Sequence, residues 1–459
     1  MKDDVSVVLH GHFYQPPREN PWTGEVEAEP NAAPDHDWNV RINRECYAPL
    51  ARIAVGASGA DRPTVNAYEW LNFDVGPTLL EWLESAAPAS YHAMLAGDAA
   101  SLKRLGHGNA IAMPYHHVIL PLSSPRDRRT EVRWGMADFR RRFGRQPAGM
   151  WLPETAVDED TLDLLAAEGI AFTVLAPHQV TPAPADGLPV RITTRSGRTI
   201  AVFAYDGELA HGVAFGELLK DSERLEKVLL GSSRRLVSLA TDGETFGHHH
   251  TFADLALGAL LFRLSRRRGV KLENFASVLA RQPPVRAAKL VAPSAWSCQH
   301  GIERWRGDCG CRMGPPGSSQ QRWRAPLRLA IGWLVQEADE LYERGMSALG
   351  LDAWPVRDAA PVWERVMNPN PEPGRLLDMN RSALRALTSC GWFFDDFGAL
   401  EGRQVLRYAA RAIGLSGDEA SRLEAGFLER LDGAVSNDPA VGSAADWYRT
   451  VIVPAGSAR

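Results

Sequence analysis

Short apolar runs rich in β-forming residues recur along the chain up to about residue 296. Stretches typical of helices or long loops separate most of them. The candidate strands are residues 5–9, 64–67, 110–113, 149–152, 172–175, 200–204, 236–240 and 289–291. Such alternation predicts an α/β fold, with a parallel sheet and helices outside it. Eight candidates over this length favour a closed or nearly closed (β/α) barrel of seven or eight strands.

Polar and aromatic side chains follow each candidate strand. In chain order they are His10 and His12, Tyr68 and Glu69, Tyr115, His116 and His117, Glu154, His178, Tyr205 and Asp206, Asp242 and Glu244, and Trp296. The carboxyl ends of barrel strands converge on one mouth, where barrel enzymes build their sites. One polar residue after a strand carries little weight, but a whole series favours a shared site.

The pattern changes near residue 318. Strand signals nearly vanish, and amphipathic helical patterns cover residues 324–349, 384–387, 404–413 and 420–431. This periodicity predicts a C-terminal α-helical bundle. We therefore predict a (β/α) domain over residues 1–317 and a helical domain over residues 318–459.

Composition limits the classes of partner. The net charge of −5 gives no reason to expect nucleic acid or an acidic membrane surface. No signal peptide and no apolar stretch long enough for a bilayer are evident in the sequence. Five cysteines, an odd and low number, fit a reducing compartment, so we expect a cytoplasmic protein.

Carboxylates stand directly after two of the candidate strands. Residues 151–154 (WLPE) end in Glu154, and residues 242–247 (DGETFG) supply Asp242 and Glu244. Glycosidases need paired carboxyl groups on either side of the scissile bond. A single Asp or Glu is more often a solvated loop charge, but the aromatic setting argues against that here. His10 and His12 could bind a metal or hydrogen-bond sugar hydroxyls; His-x-His alone is a weak metal signal.

These segments together resemble glycoside hydrolase family 57, over most of the chain. Residues 10–16 (HGHFYQP), 115–122 (YHHVILPL), 151–154 and 242–247 look like the first four motifs of that family, in order. Residues 203–209 (FAYDGEL) resemble a substrate-side segment, and residues 389–396 (SCGWFFDD) are our candidate for a fifth motif. The resemblance implies an incomplete (β/α)7-type barrel followed by a helical domain that contributes to the active site. The chain is most similar to a subgroup with an extra C-terminal helical domain of unknown function.

The resemblance also implies the chemistry. It implies Glu154 as nucleophile and Asp242 as general acid/base of a retaining enzyme acting on α-1,4-glucans, whether amylase, 4-α-glucanotransferase or branching enzyme. No cofactor is required for it. Asp242 must then hold a proton, so we expect its pKa to be raised by burial and by the Glu154 charge. The expected substrate-binding residues are His10, His12, Gln15, Trp22, His116, His117, Trp151, Asp206, Glu244, His300, Trp305, Trp392 and Asp395.

Two other functions are compatible with the same residues. A metal-dependent carbohydrate enzyme, of the polysaccharide deacetylase or zinc α-mannosidase type, would use His10, His12 and Asp242 as ligands. A non-catalytic glucan-binding protein would keep the barrel without turnover. The presence of both carboxylates argues against that last possibility.

A second group of reactive side chains comprises Cys298, His300, Cys309 and Cys311. A set of three cysteines and one histidine would suit structural zinc, although the spacing is not the usual Cys-x2-Cys. Buried free thiols are the slightly favoured interpretation. A disulfide from Cys298 to Cys309 or Cys311 is a third possibility.

Overall fold

The structure is a computed structural model that describes residues 5–56, 62–360 and 372–454. The chain divides into two compact units. Unit 1 comprises residues 1–15, 28–114 and 135–292, and unit 2 comprises residues 16–27, 115–134 and 293–459. This division does not follow the predicted boundary after residue 317. Two early segments belong with the C-terminal part, and periodicity cannot reveal such a long-range association.

All strands of the described residues lie in unit 1. They are β1 (Val5–Phe13), β2 (Ile53–Ala54), β3 (Thr64–Val65), β4 (Asn72–Val75), β5 (Ala110–Ile111), β6 (Phe172–Leu175), β7 (Val180–Thr181), β8 (Val190–Thr193), β9 (Thr199–Ala204), β10 (Leu236–Asp242), β11 (Val270–Leu272) and β12 (Lys289–Leu290). The central strand β1 is buried along almost its whole length, as expected for a parallel strand covered on both faces.

The parallel pairings form a continuous series. Strands β10, β1, β4 and β5 are neighbours in that order. Parallel bridges then join Ala112 to Met150 and Gly149 to Phe172 in β6, which pairs with β9. The backbone N–H of Asp206, just after β9, donates to the Ser238 carbonyl of β10 at 2.8 Å. Seven segments, namely β10, β1, β4, β5, residues 149–150, β6 and β9, are therefore neighbours in this order.

Two predicted strands are wrong as members of this series. The run at 64–67 contains β3, which pairs antiparallel with β2, and the run at 289–291 contains β12, which pairs antiparallel with β7. Strand β4 takes a place in the series that was not predicted. This strand is buried but carries Asn72 and Asp74, so its sequence does not form an apolar run.

Helices surround these strands in unit 1. They are α1 (Trp38–Ile42), α2 (Ala48–Ala51), α3 (Pro77–Ala86), α4 (Pro88–Leu105), α6 (Glu159–Ala167), α7 (Gly207–Ala214), α8 (Ser222–Gly231), α9 (Ala253–Leu264) and α10 (Phe275–Arg281), while α5 (Pro125–Phe143) is divided between the two units at residue 135. Helix α6 illustrates the local cause. Asp158 caps its first turn by accepting from the Thr161 N–H at 2.8 Å, and Leu162 and Leu165 bury its inner face.

Unit 2 is helical. Its remaining helices are α11 (Arg324–Ala348), α12 (Ala353–Ala359), α13 (Glu372–Arg385), α14 (Cys390–Phe393), α15 (Leu400–Gly414), α16 (Ala420–Leu431) and α17 (Ala444–Trp447). Helix α11 contacts α13 and α16, and its buried face carries Leu327, Ile331, Leu334 and Ala338. The predicted helical bundle is confirmed. Across the described ranges, no helix has both the length and the apolar character that a bilayer crossing needs.

Candidate functional site

Strand β1 places two histidines between two carboxylates. In the register of the sheet, His12 lies opposite Asp74 of β4 on one side and Asp242 of β10 on the other. The side chain of Asp74 is completely buried, and its two oxygens contact His10 Nε2 at 3.1 Å and His12 Nδ1 at 2.8 Å. His10 and His12 are two residues apart, so both project from the same face of the strand.

The hydrogen bonds assign the proton of His10. Asn72 Oδ1 accepts from the Phe275 N–H, which turns Asn72 Nδ2 toward His10 Nδ1 at 3.0 Å. His10 Nδ1 therefore accepts, and Nε2–H donates to Asp74. Burial lowers the pKa of His10, which agrees with a neutral ring. Because both ring nitrogens are engaged, His10 is not available as a metal ligand, and the metal-dependent alternative loses one of its three proposed ligands.

His12 differs from His10 in its charge. Burial on its own would lower the pKa of His12, but the Asp74 charge and hydrogen bond raise it to about 9, and Asp242 and Glu244 add to this. Burial would likewise raise the pKa of Asp74, yet the His12 charge and the two histidine hydrogen bonds hold it below its usual value. The pair is therefore an imidazolium–carboxylate pair at neutral pH.

Trp151 lies beneath the two histidines. Its ring centroid is 4.7 Å from that of His10 and 5.3 Å from that of His12, with interplanar angles of 21° and 20°. The side chain is fully buried. Trp151 packs against both imidazoles, and substrate binding by Trp151 stays a prediction.

Asp242 ends β10 and keeps partial exposure. Burial raises its pKa, the His12 charge opposes the increase, and the Asp74 charge adds to it. The expected direction is confirmed, but the neighbouring charge that contributes is Asp74 rather than the expected Glu154. Burial and the Asp242 charge also raise the pKa of Tyr205, which places that phenol near Asp242.

Glu244 is buried beside Asp242. Its Oε1 accepts from Tyr47 Oη at 2.5 Å and from the Tyr14 N–H at 3.4 Å. Burial raises the pKa of Glu244 to about 7, although the Tyr47 hydrogen bond opposes the increase. The buried Gln15 side chain hydrogen-bonds the Tyr47 hydroxyl in turn. Glu244 and Gln15 thus belong to one buried network with Tyr47.

Glu154 occupies a strained turn. Its φ is +59° and its ψ +18°, and the next residue, the β-branched Thr155, has a φ of +47°. Such left-handed conformations are unfavourable for residues other than glycine and persist where the surroundings enforce them. Gln179 does this: its Oε1 accepts from Thr155 Oγ1 and its Nε2 donates to the Thr155 carbonyl, both at 2.8 Å. The Glu154 side chain itself is half-buried.

Asp206 has a structural role that its place after a strand did not indicate. Its Oδ1 accepts from the Leu209 N–H at 3.1 Å as the cap of α7, and its Oδ2 lies 3.1 Å from Arg234 Nε. Both oxygens therefore have a partner within the protein, and sugar binding by this carboxylate stays a prediction.

Two predicted motifs meet in unit 2. His117 Nδ1 contacts Ser389 Oγ at 2.6 Å, and the Ser389 N–H donates to the His117 carbonyl at 3.0 Å. His117 has a φ of +55° and is buried. The second motif and the candidate fifth motif are thus neighbours. The adjacent His116 is completely buried and its Nδ1 contacts Glu131 Oε1 at 2.7 Å, while substrate binding by His116 stays a prediction.

The predicted tryptophans differ in exposure. Trp305 and Trp392 are fully buried, and Trp392 lies under the Arg328 guanidinium, 3.8 Å from the ring centroid. Both rings are packed in the core, and their contact with substrate stays a prediction. Trp22 keeps partial exposure, and its backbone N–H donates to Asn20 Oδ1 at 2.9 Å. Of these three rings, only Trp22 presents surface for stacking.

Asp395 and His300 also have other partners than expected. The Asp395 carboxylate accepts from the backbone N–H groups of Met313 and Gly314 at 2.9 and 2.8 Å, which engages both oxygens. His300 Nδ1 lies 3.6 Å from Cys311 Sγ. Substrate contact by Asp395 and His300 stays a prediction. Cys298 is buried as expected of a structural thiol, but Cys309 and Cys311 are partly exposed, and the described cysteines form no disulfide.

Three residues of this site were not predicted from the sequence. The sequence does contain a signal for Asp74. It lies in the short strand Asn72–Val75, which Gly76 and Pro77 end, and polar residues near strand ends are candidates for a site. Tyr47 and Gln179 carried none, since their partners Glu244 and Thr155 are 197 and 24 residues away.

Comparison with known proteins assigns most of the chain to two family models. The model described as glycosyl hydrolase family 57 matches residues 9–286, and that of a domain of unknown function (DUF3536) matches residues 320–362 and 371–458. A 4-alpha-glucanotransferase from Thermococcus litoralis is 26% identical over 178 residues, which are 38% of this chain and 26% of that protein. The chain spans about a third or less of the length of the curated relatives it matches.

Solved structures share the fold. An exo-type maltose-forming amylase from Pyrococcus sp. ST04 gives a TM-score of 0.72 at 15% identity, covering 93% of this chain and 83% of that one. A branching enzyme from Thermococcus kodakaraensis gives 0.60 at 15% identity, covering 99% and 96%. These matches confirm the predicted α/β fold with a parallel sheet and a helical C-terminal region.

Proposed function

We propose that this chain, which belongs to glycosyl hydrolase family 57, is a retaining enzyme that acts on α-1,4-glucans. The observation that carries the proposal is Asp242, a carboxyl group at the end of a parallel strand whose pKa burial raises, directly opposite His12 in the sheet. A carboxyl group with a raised pKa suits a general acid, because its protonated form persists to higher pH. Matched proteins bear the names of a glucanotransferase, an amylase and a branching enzyme, which supports an α-glucan substrate.

In the first step, the Glu154 carboxylate attacks the anomeric carbon of the glucan. The bond from that carbon to the glycosidic oxygen breaks, and the Asp242 proton moves to the leaving oxygen. A β-linked glycosyl ester on Glu154 and a shortened chain with a free 4-hydroxyl result. The strained turn at Glu154 supports this role, because backbone strain collects at functional sites.

In the second step, the ionised Asp242 takes a proton from an acceptor hydroxyl. The acceptor oxygen attacks the anomeric carbon, the ester bond breaks, and the product regains the α configuration while Glu154 regains its charge. Water as acceptor gives hydrolysis, a 4-hydroxyl of another glucan gives chain transfer, and a 6-hydroxyl gives a branch.

The buried groups around Asp242 tune its charge. The His12 imidazolium opposes the increase in the pKa of Asp242, so it favours the ionised form that the second step needs. Asp74 keeps His12 protonated. The partly exposed ring of Trp22 is our candidate for sugar stacking. The mechanism needs no cofactor.

A product analysis tests the activity. The protein is incubated with maltoheptaose and with amylose, and products are separated by size and analysed for α-1,6 linkages. Shorter chains alone indicate hydrolysis, a ladder of longer chains indicates transfer, and α-1,6 linkages indicate branching. Unchanged substrates with correctly folded protein would contradict the proposal and leave glucan binding without turnover.

Azide separates the roles of the two carboxyl groups. With an aryl α-maltoside, Glu154→Gly should regain turnover in azide and release the β-glycosyl azide, because azide replaces the missing nucleophile. Asp242→Ala should give the α-glycosyl azide from the covalent intermediate. Asp160→Asn, a change at an exposed position on α6, is the matched control and should behave as wild type. The opposite pairing of variants and products would refute the assignment.

We further propose that the enzyme works in the cytoplasm. None of the five cysteines forms a disulfide among the described residues, which fits a reducing compartment. Fractionation of the source cells, with an antibody against the protein, tests this location.

A further inference from the structure

Four side chains that can bind a metal lie close together in unit 2, and none of them takes part in the proposed mechanism. The Sγ atoms of Cys298, Cys309 and Cys311 and one ring nitrogen of His300 all lie within 4.8 Å of one another. Cys311 Sγ is 3.8 Å from Cys298 Sγ and 3.6 Å from His300 Nδ1. Among the described residues this is the one group of this kind.

These separations match a tetrahedral zinc ion. Bonds of about 2.3 Å to sulfur and about 2.0–2.1 Å to nitrogen place two tetrahedral sulfurs about 3.8 Å apart, and a sulfur and a nitrogen about 3.5–3.6 Å apart. A disulfide would need its sulfur atoms at about 2.05 Å. The cluster therefore has the spacing of ligands around a common centre rather than that of a covalent bond.

The backbone around the cluster is shaped for thiolates. The N–H groups of His300 and Arg304 face Cys298 Sγ, that of Gln299 faces Cys311 Sγ, and that of Cys311 faces Cys309 Sγ. Peptide N–H donors stabilise negative charge on sulfur, and thiolates are the form that binds zinc. Gly310, between two of the cysteines, has a φ of +85°, a conformation that lets both neighbours turn toward one centre.

We propose that Cys298, His300, Cys309 and Cys311 bind one Zn²⁺ ion as a structural site. Four protein ligands complete a tetrahedron and leave no position for substrate or water, which is typical of structural zinc. Three thiolates and an imidazole suit zinc better than the oxygen-preferring Mg²⁺ or Ca²⁺.

The surrounding loop explains what the ion would stabilise. Residues 306–322 contain no helix or strand. Yet this loop contacts the candidate fifth motif, because the Met313 and Gly314 N–H groups donate to Asp395. Arg324 also links the two: its Nη1 donates to the Cys311 carbonyl at 3.0 Å and its Nη2 to the Phe394 carbonyl at 3.2 Å. Arg304 also donates to the Phe393 carbonyl at 2.7 Å. Zinc would cross-link the loop on which these contacts depend.

Metal analysis of the full chain tests the site. Protein purified without chelators or a histidine tag should contain about one zinc per chain by plasma mass spectrometry. Cys309→Ser and Cys311→Ser should each lose most of it, whereas Cys390→Ser, a partly buried cysteine outside the cluster, should retain it. Zinc that persists in the Cys309→Ser/Cys311→Ser double variant, or iron in place of zinc, would overturn the proposal.

A second measurement does not depend on the folding of variants. The wild-type protein, stripped and reloaded with Co²⁺, should show thiolate-to-metal charge-transfer bands and the intense visible bands of tetrahedral Co²⁺. Removal of zinc by a chelator should increase amide hydrogen exchange in peptides covering residues 297–314 and 389–397, and not in β1. Absence of metal with a mass two hydrogens lower in the Cys298–Cys311 peptide would overturn the site in favour of a disulfide.

Discussion

At the scale of single residues, the charge of His12 depends on one buried carboxylate, Asp74. His10 and His12 were predicted from a strand followed by His-x-His, and the structure places both in β1. Their shared partner Asp74 was not predicted, because a carboxylate inside a buried strand breaks the apolar pattern by which strands are recognised. Which of two neighbouring histidines is charged depends on contacts with residues distant in sequence.

Asp74→Asn tests the charge of His12. Without the Asp74 charge, burial remains and lowers the pKa of His12, so it should fall from about 9 to below 6.5. A hydrogen bond to a charged group contributes about 1.5–3 kcal/mol, so kcat/KM should fall by about 10- to 100-fold. Imidazole NMR titration measures the pKa.

Asp163→Asn is the control for this change. Asp163 contacts the exposed Arg198 and lies outside the site, so both the titration and kcat/KM should stay as in the wild type. A His12 resonance that still titrates near pH 9 in Asp74→Asn would show that another group sets its charge.

At the scale of elements, the sequence predicts where a strand lies better than it predicts which strands pair with it. Strand β6 has the predicted bounds, whereas the short β3 and β12 have the same kind of sequence and pair outside the parallel series. An apolar run indicates that a strand is buried, but it does not indicate which strand lies next to it in the sheet. The turn at Glu154 was likewise visible only as a strand end, because its φ values depend on Gln179.

Gln179→Leu tests whether the turn positions the nucleophile. The substitution removes both hydrogen bonds to Thr155 and leaves its buried polar groups unpaired, which costs about 2–4 kcal/mol of unfolding free energy. We expect kcat to fall at least about 10-fold with KM nearly unchanged, because the substitution displaces Glu154 but leaves the substrate-binding side chains in place. Steady-state kinetics and urea unfolding provide the two measurements.

Two further variants serve as a partial rescue and as a control for Gln179→Leu. Gln179→Glu keeps the acceptor for Thr155 Oγ1 and should recover part of kcat. Gln146→Leu, at an exposed position, should change neither quantity. If Gln179→Leu lowered stability while kcat and KM stayed at wild-type values, the residue would be structural only.

At the scale of the whole molecule, the predicted order of an α/β part followed by helices is correct, but the compact units are not contiguous in sequence. Residues 16–27 and 115–134 belong to unit 2. Glu19 shows why: its carboxylate contacts Arg385 Nη1 at 2.8 Å and Tyr408 Oη at 2.7 Å, more than 360 residues away. Local patterns contain no information about such contacts. The predicted boundary does agree with the start of the second family match at residue 320.

The His12–Asp74 ion pair should contribute a pH-dependent part of the free energy of unfolding. The pKa of His12 is raised from 6.5 to about 9, so its contribution is fully present below pH 6.5 and is lost as the pH rises through 9. The loss is on the order of 3 kcal/mol. Urea unfolding at pH 6 and above pH 9 measures it, with hydrogen exchange of β1 as the local probe.

Comparison with Asp74→Asn isolates this contribution. Other titrating groups change the free energy of unfolding of both proteins equally. The difference in unfolding free energy between wild type and Asp74→Asn should therefore narrow as the pH rises from 6.5 to 9. Curves that remain parallel over this interval would rule out the pair as its source.

The left-handed backbone conformation at Glu154 implies that a glutamate at this position lowers the free energy of unfolding of the protein. Glycine adopts a φ of +59° without steric penalty, and a left-handed conformation costs other residues about 1–2 kcal/mol. The inactive Glu154→Gly protein should therefore unfold at higher urea concentration than the wild type. Selection for thermostability alone would remove this glutamate, so engineers who seek a hardier variant should exclude residue 154 from their libraries.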